Sequence, residues 1–139
     1  MTYNNFRTET DSDGIALITW DMPDRSMNVF TVEVMDELDA IIDAVVADAA
    51  VKGAVITSGK ESFSGGADLT MFNALQQQYL DEVAKDPQTA MKMLFDGIGR
   101  MTGLFRKLET CGKPFVSAIN GTCMGGAFEM SLACHGRVA

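Results

Sequence analysis

Histidine is almost missing from this 139-residue sequence: His135 is the only one, and it directly follows Cys134. Neighbouring side chains on a helix diverge, which argues against a Cys–His dyad. No Gly-x-Ser-x-Gly occurs either, so a Ser–His–Asp triad lacks its companion motif. Cysteine is equally sparse. Cys111, Cys123 and Cys134 are odd in number and contain no Cys-x-x-Cys, against both a disulfide framework and a zinc site, and they read as buried thiols. Basic residues are outnumbered, 11 Lys and Arg to 19 Asp and Glu, for a net charge of −8. Nucleic-acid surfaces need clustered Lys and Arg, so no nucleic-acid partner is expected. The apolar runs are broken by charge before they reach bilayer length, and the opening Thr2 to Glu9 is too polar for a signal peptide. No membrane span is expected, and a cytoplasmic location is the default.

What is present suffices for one domain with a real core: 47% of the residues are hydrophobic, and no repeat or low-complexity linker divides them. Ile15 to Trp20 reads as a strand between Asp13-Gly14 and Pro23. From Thr31, a suitable N-cap, Met35, Leu38, Ile42, Val45 and Ala49 recur at helical spacing. Ala54 to Ser58 reads as a second strand, with a helix near Leu69 to Tyr79 after it. Asp86-Pro87 is a strong helix start, and Met91, Leu94, Ile98, Met101, Phe105 and Leu108 form a stripe predicted to be core. Methionines at such spacing fill irregular gaps, so Met91, Met93 and Met101 receive no functional role. Phe115 to Ile119 is a third strand, Ala127 to Cys134 a further helix, and Gly136 to Ala139 the start of another strand. Alternating strands and helices predict an α/β fold with largely parallel strands. A closing strand with an open edge suggests part of a longer domain.

Two glycine clusters carry the chemistry. Asn120-Gly-Thr-Cys-Met-Gly-Gly-Ala-Phe-Glu129 ends an apolar run in paired glycines, with a carboxylate three residues after Gly126. Glycines at 125 and 126 let backbone N–H groups approach a ligand, and donors in the first turn of a helix are free to face outward. Glu129 falls on nearly the same helical face as Gly126, so a donor and an acid/base group could flank one reacting centre. Ser64-Gly-Gly-Ala-Asp-Leu69 supplies a candidate second donor. Neither cluster is a P-loop or a Gly-x-Gly-x-x-Gly. Among the flanking residues, Asp68 is better explained as the cap of the next helix than as a chemical group. Arg25 divides evenly between a solvated side chain and a phosphate contact, and Asn28 reads equally as a turn residue.

Three segments in order, Pro23-Asp-Arg-Ser-Met-Asn-Val29, Phe63-Ser-Gly-Gly-Ala-Asp-Leu69 and Ala118 to Met130, resemble the N-terminal half of a domain of the crotonase, or enoyl-CoA hydratase/isomerase, family. The resemblance runs from about Ile15 to Ala139. Leu108 to Pro114, Leu132 to Val138 and the helical insert between Leu69 and Leu108 look most like one branch, the hydratase domain of the alpha subunit of bacterial fatty-acid oxidation multienzymes.

The resemblance implies a crotonase-like ββα spiral, here truncated, and an enoyl-CoA hydratase module of fatty-acid β-oxidation. It makes the N–H groups of Ala67 and Gly126 an oxyanion hole and Glu129 the carboxylate that activates water. Arg25, Ser26, Met27, Gly66, Ala67, Asp68, Leu69, Gly125 and Gly126 fall where the family holds the CoA thioester. A second glutamate of the hydratases would lie beyond Ala139, so an enoyl-CoA isomerase, or a non-catalytic acyl-CoA-binding module, stays an alternative. No metal and no cofactor is implied in this chain; coenzyme A enters as part of the substrate, and NAD would serve only a downstream dehydrogenase domain. Implied partners are an acyl-CoA or enoyl-CoA substrate and either further copies of the chain or a thiolase subunit.

Overall fold

The computed structural model describes residues 2–139. Strand β1 (Phe6–Thr10) and strand β2 (Ile15–Trp20) form an antiparallel hairpin, with Phe6 opposite Trp20 and Thr10 opposite Ala16. The turn closes on Asp11, whose carboxylate accepts the N–H groups of Asp13 and Ile15, both at 2.9 Å. Strand β1 was not expected from the sequence. It is an edge strand with only Phe6 buried, so Arg-Thr-Glu-Thr carries no apolar alternation to betray it.

Beyond β2 the sheet is parallel, as the alternation of elements predicts. Strands β3 (Gly53–Ser58), β4 (Phe115–Ala118) and β5 (Gly136–Val138) add in chain order, giving β1-β2-β3-β4-β5. Parallel neighbours need crossovers. Helix α1 (Val32–Ala47) makes the first, capped by the Thr31 hydroxyl on the Val34 N–H at 3.2 Å. It buries Val34, Met35, Leu38, Ile41, Ile42 and Val45, whereas Ala49 lies past the Asp48 cap and outside the helix.

The second crossover is a hairpin of two helices, α2 (Leu69–Val83) and α3 (Pro87–Thr110), before β4; helix α4 (Gly126–Ala133) then leads to β5. Asp86 caps α3 through the Gln88 and Thr89 N–H groups, with Pro87 in the first turn, as expected. The apolar stripe of α3 is core only at its C-terminal end. Phe105 and Leu108 are buried, but Met91 and Ile98 are more than half exposed, on the half of α3 that meets α2 at Gly97 and Leu75. No residue of α2 is buried.

The core lies between the sheet, α1, the C-terminal end of α3 and α4. Trp20 packs on Phe6, Phe30 and Phe63 with ring centroids 5.7, 4.8 and 6.4 Å away, and Phe105 reaches Phe30 at 5.7 Å. This aromatic cluster fixes Phe30 and Phe63, the residues from which the two loops of the site depart. Of the three cysteines only Cys134 is buried, its thiol pushed up to about 12 by desolvation; Cys111 and Cys123 are partly covered. His135 Nδ1 accepts the Phe115 N–H at 3.2 Å and serves the sheet end rather than a dyad.

Candidate functional site

The site is assembled around Asn28, a side chain with no solvent exposure. Its Oδ1 accepts the Met22 N–H at 3.0 Å, while its Nδ2 donates to the Trp20 carbonyl at 2.8 Å and the Ser58 hydroxyl at 2.9 Å. One side chain thus ties the C-terminal ends of β2 and β3 together. Its main-chain carbonyl accepts both the Ser64 hydroxyl at 2.8 Å and the Gly65 N–H at 2.9 Å, which locks the first glycine turn. Asn28 is more than a turn residue. Its identity between Met27 and Val29 gives no sign of this role, because the partners that join it to the glycine turn, Ser58, Phe63 and Ser64, are remote in sequence.

Ser64 joins the two glycine clusters. Its N–H donates to the Thr122 carbonyl at 3.0 Å and its carbonyl accepts the Met124 N–H at 3.1 Å, a parallel bridge of Ser64 with Cys123. Gly66 then passes so close to the second cluster that a Cβ there would lie 2.8 Å from the Met124 carbonyl oxygen, and its φ of +93° suits glycine alone. Gly125 also has positive φ, at +50°, where the chain turns into α4. On the other side, the Phe30 N–H donates to the Gly66 carbonyl at 2.8 Å and the Phe30 carbonyl accepts the Asp68 N–H at 2.9 Å. Between these two bonds the Ala67 N–H points away from Phe30.

The result is one cavity of about 460 Å³, lined by Ala67, Leu69, Gly125, Gly126 and Glu129, with Met35, Met71, Phe72, Ile98 and Met101 among its apolar walls. Among the described residues, neither the Ala67 N–H nor the Gly126 N–H donates to any acceptor. Glu129 is the one ionisable side chain of this lining, and it has no hydrogen-bonding or ion-pair partner among the described residues. Two free donors and a lone carboxylate therefore share an otherwise apolar cavity, a combination suited to a carbonyl compound whose oxygen gains charge while a proton moves nearby. Met101, read from its spacing as core filler, is a wall of this cavity. Its position on the stripe carries no signal that the helix leaves the core there.

The remaining expected site residues lie on the rim. Asp68 caps α2, accepting the Thr70 N–H at 3.0 Å and the Thr70 hydroxyl at 2.8 Å. These bonds, with the Arg25 guanidinium 3.0 Å away, hold its carboxyl below the usual range. Arg25 is half exposed and pairs with Asp68. Ser26 sits beside it in the exposed loop, and the Met27 sulfur lies over Gly65, 2.9 Å from where a Cβ would stand. Lys60 steadies that loop through the Met22 carbonyl at 2.6 Å and Asp21 at 2.7 Å. The Cys123 thiol, near the second turn, is pushed up by burial, which makes it a poor nucleophile. No group of His, Cys, Asp or Glu able to hold a metal occurs among the described residues, and none of their helices is long and apolar enough to cross a membrane.

A second cavity of about 480 Å³ opens between α1, α2 and α3, lined by Val32, Met35, Met71, Ala74, Leu75 and Gly97 with a polar rim of Thr31, Asp68, Thr70, Gln78 and Arg100. Met35, Met71 and Gly97 line both cavities.

Known proteins share this fold. A fatty acid oxidation complex subunit alpha from Shewanella amazonensis is 37% identical over 134 residues, 96% of this chain but 17% of that protein, so the chain spans less than a fifth of such relatives. Among solved structures, an enoyl-CoA hydratase/isomerase from Xanthobacter autotrophicus is 30% identical with a TM-score of 0.77, over 98% of this chain and 46% of that one. An enoyl-CoA hydratase/isomerase (crotonase) from Legionella pneumophila has the same TM-score of 0.77 at 21% identity, over 99% of this chain and 48% of that one, a likeness of fold. The fold is crotonase-like, and the family profile of the enoyl-CoA hydratases/isomerases matches residues 10–139. By that match the chain belongs to the enoyl-CoA hydratase/isomerase family.

Proposed function

We propose that this chain is the thioester-binding part of an enoyl-CoA hydratase of fatty-acid oxidation. In this reading the Ala67 and Gly126 N–H groups receive the thioester oxygen and Glu129 holds and activates the water. The observation that carries it is the meeting of two unpaired N–H donors and one unpaired carboxylate in a single apolar cavity. Water addition to a conjugated thioester places negative charge on the carbonyl oxygen, and preorganised donors stabilise that charge without having to reorient. Each such donor contributes roughly 10²–10³ in rate. Glu129 takes a proton from water as the oxygen attacks the β carbon. The α carbon then needs a proton from an acid that this lining does not supply.

Arg25, Ser26 and Met27 on one side and Gly66, Asp68 and Leu69 on the other form the mouth through which the CoA moiety passes. In this reading the protein that carries the chain also assembles as its relatives do, as a subunit of a fatty acid oxidation complex. The test is titration of the chain with crotonyl-CoA and with free CoA. The thioester binds more tightly than CoA in this reading, and Gly126→Pro, which removes one donor, abolishes the difference. Equal affinities in the parent chain would sink the proposal.

A further inference from the structure

Met35, Met71 and Gly97 form a wall with open space on both faces: the cavity of Glu129 on one side and the cavity between α1, α2 and α3 on the other. None of the three carries charge, and two are thioether side chains, whose unbranched, rotatable stems adapt to whatever lies against them. The third has no side chain, and a Cβ at Gly97 would lie 2.6 Å from a Leu75 methyl, so glycine is what allows α3 to approach α2 while leaving the wall thin. Helix α2, which carries Met71, buries none of its residues. Few buried contacts mean that a small shift of this helix costs little.

We infer that the wall is a methionine gate, and that the acyl tail of a long-chain thioester passes Met71 and Met35 into the second cavity. This rests on the reading of the first cavity as the thioester site. With the carbonyl carbon beside Ala67 and Gly126, a short acyl group is held in the first cavity alone. A longer one has a route past the Met35–Met71 side into the open cleft lined by Val32, Ala74 and Leu75. The charged rim of that space does not oppose an apolar tail, because Asp68 is paired with Arg25 and Arg100 with Asp36. Burying successive methylenes then strengthens binding with chain length. The gate makes the chain a binder of medium and long acyl-CoA thioesters that also accepts short ones.

The experiment is calorimetric titration of the 139-residue chain with butyryl-, octanoyl- and dodecanoyl-CoA below their micelle concentrations, with free CoA as reference. The expected result is affinity rising at least tenfold from butyryl- to dodecanoyl-CoA. Ala74→Phe and Val32→Trp, made separately from opposite walls at exposed positions that line the second cavity alone, are expected to bring the dodecanoyl-to-butyryl ratio near one. Circular dichroism melting verifies that each variant folds, and either folded variant suffices. Butyryl-CoA binding with no gain for longer chains would overturn the gate and leave the thioester site standing. A gain that persists in both folded variants would equally overturn it, placing the tail elsewhere. If no acyl-CoA binds better than free CoA, the thioester reading itself fails, and the gate with it.

Discussion

The Asn28 carbonyl accepts the Ser64 hydroxyl at 2.8 Å, and through this bond the loop after β2 holds the glycine turn after β3. The same hydroxyl oxygen accepts the Gly66 N–H at 3.1 Å. Both side chains are fully buried, so these bonds form where water cannot replace them. The turn that carries the Ala67 N–H is therefore held in place before any ligand arrives, as the proposed oxyanion role requires.

Replacing Asn28 by Ala leaves the Met22 N–H without its acceptor and breaks the ties to Ser58 and to the Trp20 carbonyl, which keeps only the Gly59 N–H. Each buried group left unpaired costs about 1–3 kcal/mol. Urea denaturation should show a loss of roughly 2 kcal/mol or more. A change within experimental error would mean that Asn28 does not hold the loops together.

Gly66→Ala should be damaging out of proportion to its size. The positive φ and the 2.8 Å approach to the Met124 carbonyl leave no place for a methyl group, so the two turns must separate. The expected destabilisation is about 1–3 kcal/mol, with thioester binding weakened at least tenfold in the calorimeter. Gly103→Ala, on α3 with open space around the added carbon, is the control: it should leave binding unchanged and raise stability by about 0.5–1 kcal/mol, as expected of a helix-interior glycine.

In an active protein carrying this segment, Glu129→Gln should keep crotonyl-CoA affinity and lose about 10²–10⁴ in hydration rate, since the amide fits but cannot accept the proton. Spectrophotometric turnover decides the matter. Parent-like turnover would place the chemistry on another residue.

Residues 1 to 139 alone should bind enoyl-CoA yet hydrate it poorly, because Glu129 is the single ionisable group of the cavity lining and cannot serve both ends of the addition. Efficient hydration of crotonyl-CoA by the purified chain would contradict this.

Acid should weaken the fold in a predictable window. Asp21, bonded by Lys60 and Arg7, Asp68, bonded by Thr70 and Arg25, and Asp86, bonded by Thr89 and Gln88, all have their pKa lowered on folding. A carboxyl lowered by folding stabilises the native state above its unfolded value, about 3.9 for Asp. That contribution is lost as pH falls below this value and through the lower folded one. Melting temperature should therefore drop as pH is taken from 5 to 3, and less so in Asp21→Asn/Asp68→Asn. An equal drop in that double variant would assign the acid sensitivity to other groups.

Local features were legible in the residues themselves. Thr31, Asp68 and Asp86 announce helix starts because a cap is a matter of one short polar side chain and the next few N–H groups, and all three are caps. The β-branched runs of β2, β3 and β4 and the glycines at 66 and 125 are likewise local demands of backbone geometry. The resemblance of the three motif segments carried the family. The rest follows from how the elements pack. Strand β1 exists because β2 offers it an edge, not because its own residues alternate. The stripe of α3 divides into core and exposed halves according to what packs against each half, which periodicity cannot register. Asn28 became the centre of the site, and Met35, Met71 and Met101 its walls, through contacts across tens of residues. Such contacts depend on how the elements pack, and packing is set by the sum of all their faces rather than by any one segment.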